Sequence, residues 1–292
     1  MTTRTHPRLE RIADLPPIRK PRVVLAIFNQ AGGSLLASGL AYSALFAGLT
    51  GLLFAFGVLG YMVPAASDRQ GLINGFTGDL APLAPFARDG LNSVAAHAGA
   101  FSIVGLAGMA WGASQFYGAL DTAMARVFTL APARGFFDQV LRGFVSVFLL
   151  LGGLLSGIAI SAVQSQVVGG IDGGPTGDAG RILSLVGFPV VTAVVVVTAV
   201  GVLYRVVPNT KVPVAVVRLP ALVIGLLLTC LTELLVYLAP LLTGALSVFG
   251  GVAAVFAALA WLHLAFLVLL VGAAWTSLRL DEAEAEAENP AS

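Results

Sequence analysis

The chain has 292 residues, 58% of them hydrophobic and only 11% charged, with a mean hydropathy of +0.93. Soluble domains carry roughly 25% charged residues, so a water-soluble globular domain is excluded. The net charge of +1 gives no footing for nucleic acid, and one cysteine, Cys230, excludes an intramolecular disulfide and a cysteine-based metal site.

Residues 1–22 form a basic arm carrying Arg4, Arg8, Arg11, Arg19, Lys20 and Arg22. The apolar run that follows is far longer than the 7–15-residue core of a cleaved signal peptide, so it reads as a membrane anchor that stays. At its start, "PRVVLAIFNQAGG" reads as a short interfacial helix, with Asn29, Gln30 and the glycines as an elbow. Six membrane spans are then expected over about 34–63, 92–112, 140–168, 182–206, 214–238 and 246–278. Each matches the about 20 apolar residues needed to cross ~30 Å of hydrocarbon. The runs are continuously apolar rather than alternating, so helices are expected and barrel strands are not.

Between the second and third spans, residues 114–130 ("SQFYGALDTAMARVFTL") hold Asp121 and Arg126. A charge at the bilayer centre costs about 2.5–3.5 kcal/mol, whereas Phe116, Leu120, Ala123, Val127 and Leu130 recur at helical spacing. The segment therefore reads as a cytoplasmic interfacial amphipathic helix. Residues 23–280 form one transmembrane domain, and 281–292 ("DEAEAEAENPAS") an acidic cytoplasmic tail with a frayed, solvated helix end. The fold class is an all-α, polytopic membrane bundle of six transmembrane helices with one or two interfacial helices.

Under this topology all Lys and Arg fall on one side except Arg69, Arg88 and Arg181. The positive-inside rule then puts both termini in the cytoplasm.

Few polar groups interrupt the spans. Glu233 is the one acid within a span and is a candidate proton or cation site, a partner for a polar neighbour, or a group reaching the outer interface. His97 and His263 are placed at different depths, so their pairing is not expected. Small residues at Gly39–Ser43, Gly48 with Gly51, and Gly108–Gly112 suit either close helix contact or a cavity lining. No HExxH, GxSxG or P-loop is present, and the three histidines are scattered. Neither an enzyme nor a metal or other cofactor is expected.

Four stretches occur in order: "LAYSALFAGLTGLL" (40–53), "GALDTAMARVFTL" (118–130), "LYRVVPNTKVP" (203–213) and "FGGVAAVFAALAWLHLAFLVLLVGAAW" (249–275). Together they resemble the YihY/virulence factor BrkB family of bacterial inner-membrane proteins, over nearly the whole chain. Tyr204, Arg205, Pro208, Asn209 and Glu233 follow the family pattern. Thr50 stands where members often have proline, Phe249 where they often have tyrosine, and Ala274 where they often have an acid. That last departure weakens any proton relay through the sixth span.

The resemblance implies a role in cell-envelope integrity, by transport or handling of lipids or other envelope components. The candidate functional residues are Glu233, Tyr204, Arg205, Asn209, Lys211, Asp121 and His263. Arg205 and Lys211 form a basic mouth suited to an anionic lipid headgroup at the cytoplasmic face. The expected partner is the lipid bilayer, with an envelope component as substrate and no nucleic acid. A non-transporting membrane scaffold is the alternative, and a membrane-bound hydrolase of the ribonuclease BN-like kind a third.

Overall fold

Apolar runs this long leave the backbone no partner but itself once they enter hydrocarbon, and the chain answers with helices. The computed structural model describes residues 16–62, 98–128, 186–208, 212–249 and 251–288. They form α1 (Pro16–Gln30), α2 (Gly33–Met62), α3 (Ala98–Val127), α4 (Phe188–Val206), α5 (Val214–Phe249) and α6 (Gly251–Glu288), with no strand among them.

Helix α1 turns into α2 over two residues. The Ala31 N–H donates to the Ile27 carbonyl and the Gly32 N–H to that of Asn29, each at 3.0 Å. Gly32 has φ +72°, the left-handed region that glycine enters without a Cβ penalty. The expected elbow is therefore present, one residue past Gln30.

Helices α2 and α3 run antiparallel at very short range. A Cβ on Gly105 would lie 2.6 Å from the Phe54 backbone nitrogen, one on Gly108 2.9 Å from Thr50 Cγ2, and one on Gly112 2.9 Å from Ala47 Cα. The Phe46 and Trp111 rings close this seam edge to face at 5.3 Å. Close packing is thus the use made of Gly108 and Gly112. By contrast, Gly39 and Gly48 are exposed and have no neighbouring atoms within 4 Å of where a Cβ would stand.

Helices α4 and α5 also pair antiparallel, with Gly225 against the Val197 backbone. Helix α6 packs on α1, α2, α3, α4 and α5. Its buried face carries Phe266, Leu270, Ala273, Ala274 and Leu280, and Phe266 meets Phe116 of α3 at 5.8 Å.

Large apolar side chains also cover the outside, among them Leu35, Ile103, Val194, Leu227 and Phe256. Soluble monomers rarely expose apolar patches beyond a few hundred Å², so hydrocarbon is the solvent that fits this surface. Among the described residues, four helices are long and apolar enough to cross a membrane, over Gly33–Gly51, Phe188–Val206, Val214–Leu235 and Val255–Glu288.

The boundaries differ from expectation at three points. The span expected over 92–112 and the interfacial helix expected over 114–130 are joined: α3 continues unbroken to Val127. No breaker separates the two parts, and Phe116, Leu120, Ala123 and Val127 are buried in the protein core rather than laid on headgroups. Helix α5 runs to Phe249 through the connection expected after residue 238. Pro240 lies inside it, a position that membrane helices tolerate. Helix α6 extends ten residues past 278 and takes in the acidic stretch to Glu288. There Glu284–Glu288 is exposed, while Glu282 pairs with Lys20 of α1 at 3.0 Å. The span expected over 140–168 lies outside the described residues, as does the loop 64–91.

Gly112→Leu should force α2 and α3 apart and cost about 1–3 kcal/mol, seen as a lower melting temperature in detergent. Gly48→Ala, made where space is open, should stay within about 0.5 kcal/mol.

Candidate functional site

Besides the Lys20–Glu282 bridge, two polar contacts position helix α6, one buried and one exposed. Tyr204, in the last turn of α4, is fully buried and donates its hydroxyl to the Leu269 carbonyl at 2.6 Å. Gly272 leaves the space that this hydroxyl occupies, and Ile224 of α5 fills the rest of the same hollow. An unpartnered hydroxyl is costly in a dry interior, so the bond fixes the end of α4 to a chosen turn of α6.

The second contact lies between Ser38 of α2 and His263 of α6, with Oγ and Nδ1 3.3 Å apart. Ser38 has one proton and a competing acceptor, the Ser34 carbonyl at 3.1 Å. If the hydroxyl donates to that carbonyl, Nδ1 carries the hydrogen and donates to Oγ; the other tautomer reverses the roles.

Beyond these contacts, at the end shared by the α1–α2 elbow, the last turn of α3 and the last turns of α6, lies a half-open cavity of about 370 Å³. Its deeper wall holds Val127 and Ser277, both buried, with Ile27 and Ala31 partly buried. Its rim is polar and exposed, with Gln30 from α1, Arg126 from α3 and Asp281 from α6. The helix lengths set its depth. At 1.5 Å per residue, the 38 residues of α6 span about 57 Å against ~30 Å of hydrocarbon. Asp281 stands where the acidic stretch begins, so the cavity lies at the charged end of α6. Every described Lys and Arg belongs to α1 (Arg19, Lys20, Arg22), to the last turn of α3 or α4 (Arg126, Arg205), to the first turns of α5 (Arg218), or to α6 just before its acidic stretch (Arg279).

The residues singled out from the sequence scatter over this frame. Tyr204 is a buried anchor and Arg205, next to it, is exposed. His263 meets Ser38. Asp121 is half-buried on α3, one turn before Arg126, and does not line the cavity. Glu233 is exposed on α5. Asn209 and Lys211 lie outside the described residues. Among the described residues, none of these candidates bonds to another. The cavity instead collects Gln30, Arg126 and Asp281, which the sequence offers only as an elbow, a topology marker and the start of an acidic tail. No spacing rule links residues 126 and 281; the available signal was that two apolar helices end in charges of opposite sign.

Tyr204→Phe keeps the ring and loses the hydrogen bond, and should cost about 1 kcal/mol. Gly272→Leu displaces the hydroxyl as well and should cost more, both read as detergent melting temperatures.

No curated protein and no solved structure matches the chain. The family model described as Virulence factor BrkB matches residues 24–292. That match, over a chain whose exposed apolar helices suit a bilayer, places this protein in the YihY/BrkB family of membrane proteins.

Proposed function

We propose that the protein supports the bacterial cell envelope by transporting or otherwise handling lipids or other amphiphilic envelope components, without a covalent catalytic step. The observation that carries this reading is the half-open cavity with a mostly apolar wall and a polar rim, set between the charged ends of α1, α3 and α6, a position that suits a headgroup. An amphiphile needs that pairing, an apolar approach from the bilayer and polar partners for its head. The clustering of described cations at the same end of the helices supports a cytoplasmic placement of the cavity and of both termini. Arg205, exposed there, supports attraction of anionic headgroups to that face, each cation near an anionic surface being worth about 1 kcal/mol.

Reconstitution into liposomes with a fluorescent phospholipid tests the reading. Purified protein should speed transbilayer exchange by about tenfold or more over empty vesicles, equivalent to lowering a barrier by ~1.4 kcal/mol. Arg205→Ala combined with Lys211→Ala should slow it, and should fail to restore envelope integrity in cells lacking the protein. No acceleration in vesicles, together with full rescue by the double variant, would sink the proposal. Removing residues 283–292 separates the scaffold alternative, because Asp281 and the Lys20–Glu282 bridge remain. Loss of rescue at unchanged protein level would then favour a partner that binds the tail.

A further inference from the structure

The cavity holds opposite charges that do not neutralise one another. Arg126 and Asp281 both line it, yet among the described residues neither is in an ion pair or a hydrogen bond. The neighbouring acid, Glu282, is engaged by Lys20 on the α1 side, which leaves Asp281 free to serve the cavity. A second observation comes from the wall. Three polar residues are buried among those described: Thr229, Thr276 and Ser277. Thr229 and Thr276 return their hydroxyls to the carbonyls of Gly225 and Gly272, four residues back, at 2.9 and 2.8 Å. Ser277, only 4% exposed, makes no such bond and lines the cavity instead. Its hydroxyl reaches the open space of the cavity, where it can donate to a bound acceptor.

Resting on the amphiphile-handling reading above, we infer that the cavity recognises a zwitterionic headgroup of the phosphoethanolamine kind. Its phosphate is taken by the Arg126 guanidinium, the Ser277 hydroxyl and the Gln30 amide, and its ammonium by the Asp281 carboxylate. Ile27, Ala31 and Val127 meet the glycerol and first methylenes. The sign pattern discriminates. A phosphate alone leaves Asp281 facing an anion, and a quaternary ammonium offers Asp281 no N–H to accept from.

The test is native mass spectrometry of the full chain, stripped in detergent and offered equimolar dioleoyl phosphatidylethanolamine, phosphatidylglycerol and phosphatidylcholine. Phosphatidylethanolamine should be retained about tenfold over the other two, since one charge-assisted hydrogen bond is worth ~1.5–3 kcal/mol. Asp281→Asn should erase that preference, Asp281→Lys should turn it toward phosphatidylglycerol, and Arg126→Gln should lower retention of both phosphatidylethanolamine and phosphatidylglycerol. Residues 126 and 281 are exposed, and unchanged melting temperatures confirm that the variants fold. In a parallel arm, soluble phosphoethanolamine that raises the melting temperature while phosphatidylethanolamine is ignored supports the same chemistry from a soluble source.

Equal retention of all three lipids, or indifference to Asp281→Asn, overturns the inference. A phosphatidylglycerol preference that depends on Arg126 and not on Asp281 overturns it too, while leaving the amphiphile-handling reading intact. Retention of no lipid and no response to phosphoethanolamine overturns both.

Discussion

Lipid tails are as apolar as leucine, so burying leucine against leucine gains a membrane helix almost nothing over burying it in the bilayer. What remains to hold helices together is close backbone approach and hydrogen bonding. This chain uses both and assigns them to different seams. Helices α2 and α3 are joined by close approach, Gly105, Gly108 and Gly112 bringing one backbone onto Ala47, Thr50 and Phe54, with the Phe46–Trp111 ring pair beside them. Helix α6 is joined by polar contacts, Tyr204 to the Leu269 carbonyl on one side and Ser38 to His263 on another. Without a fixed α6 there would be no common end at which α1, α3 and α6 meet, and hence no cavity.

The same constraint sorts the charges. Among the described residues every Lys and Arg lies in α1, near an end of α3, α4 or α5, or, for Arg279, just before the acidic stretch of α6, because a charge at mid-membrane costs about 2.5–3.5 kcal/mol. Those ends gather into a band where opposite charges become available to a headgroup. The Lys20–Glu282 bridge belongs to this band. Being exposed, it is worth no more than about 1 kcal/mol in stability, and its consequence is positional, since it holds α1 against α6 and takes Glu282 out of competition with Asp281.

Much of this was legible in the sequence and some was not, for separable reasons. The first span, expected over 34–63, is the helix Gly33–Met62, because a continuous apolar run of that length has one outcome in a bilayer. The elbow was legible because Gly32–Gly33 offers the positive φ a tight turn needs. The end of α3 was not. Asp121 and Arg126 argued for a separate amphipathic helix, yet a single helix of 30 residues rises about 45 Å and holds both charges toward its end without a break. Ser277 illustrates the harder case. A serine beside a threonine in the last span has no distinguishing pattern, and only tertiary placement shows that Thr276 uses its own helix carbonyl while Ser277 does not. The cavity depends on three helices distant in sequence, and hydrophobic periodicity reports one helix at a time.

Two departures from the family pattern find a physical account in the packing. Ala274 stands where relatives often carry an acid, and it is fully buried two residues past Gly272, whose missing Cβ gives the Tyr204 hydroxyl its place. A carboxylate there would need a partner within the bundle, and the nearby hydroxyl is already spent on the Leu269 carbonyl. Alanine keeps that part of α6 neutral and leaves the ionic chemistry to the helix ends. Thr50 stands where relatives often carry proline. Its hydroxyl reaches back to the carbonyls of Phe46 and Ala47 at 2.9 and 3.2 Å, a contact that bends a helix more gently than a missing N–H does. Thr50 also supplies the surface against which Gly108 packs, so its side chain helps close the α2–α3 seam. Proline would exchange that hydroxyl contact for a rigid kink, and the three-glycine stripe of α3 would then have to follow a sharper curve to stay in contact.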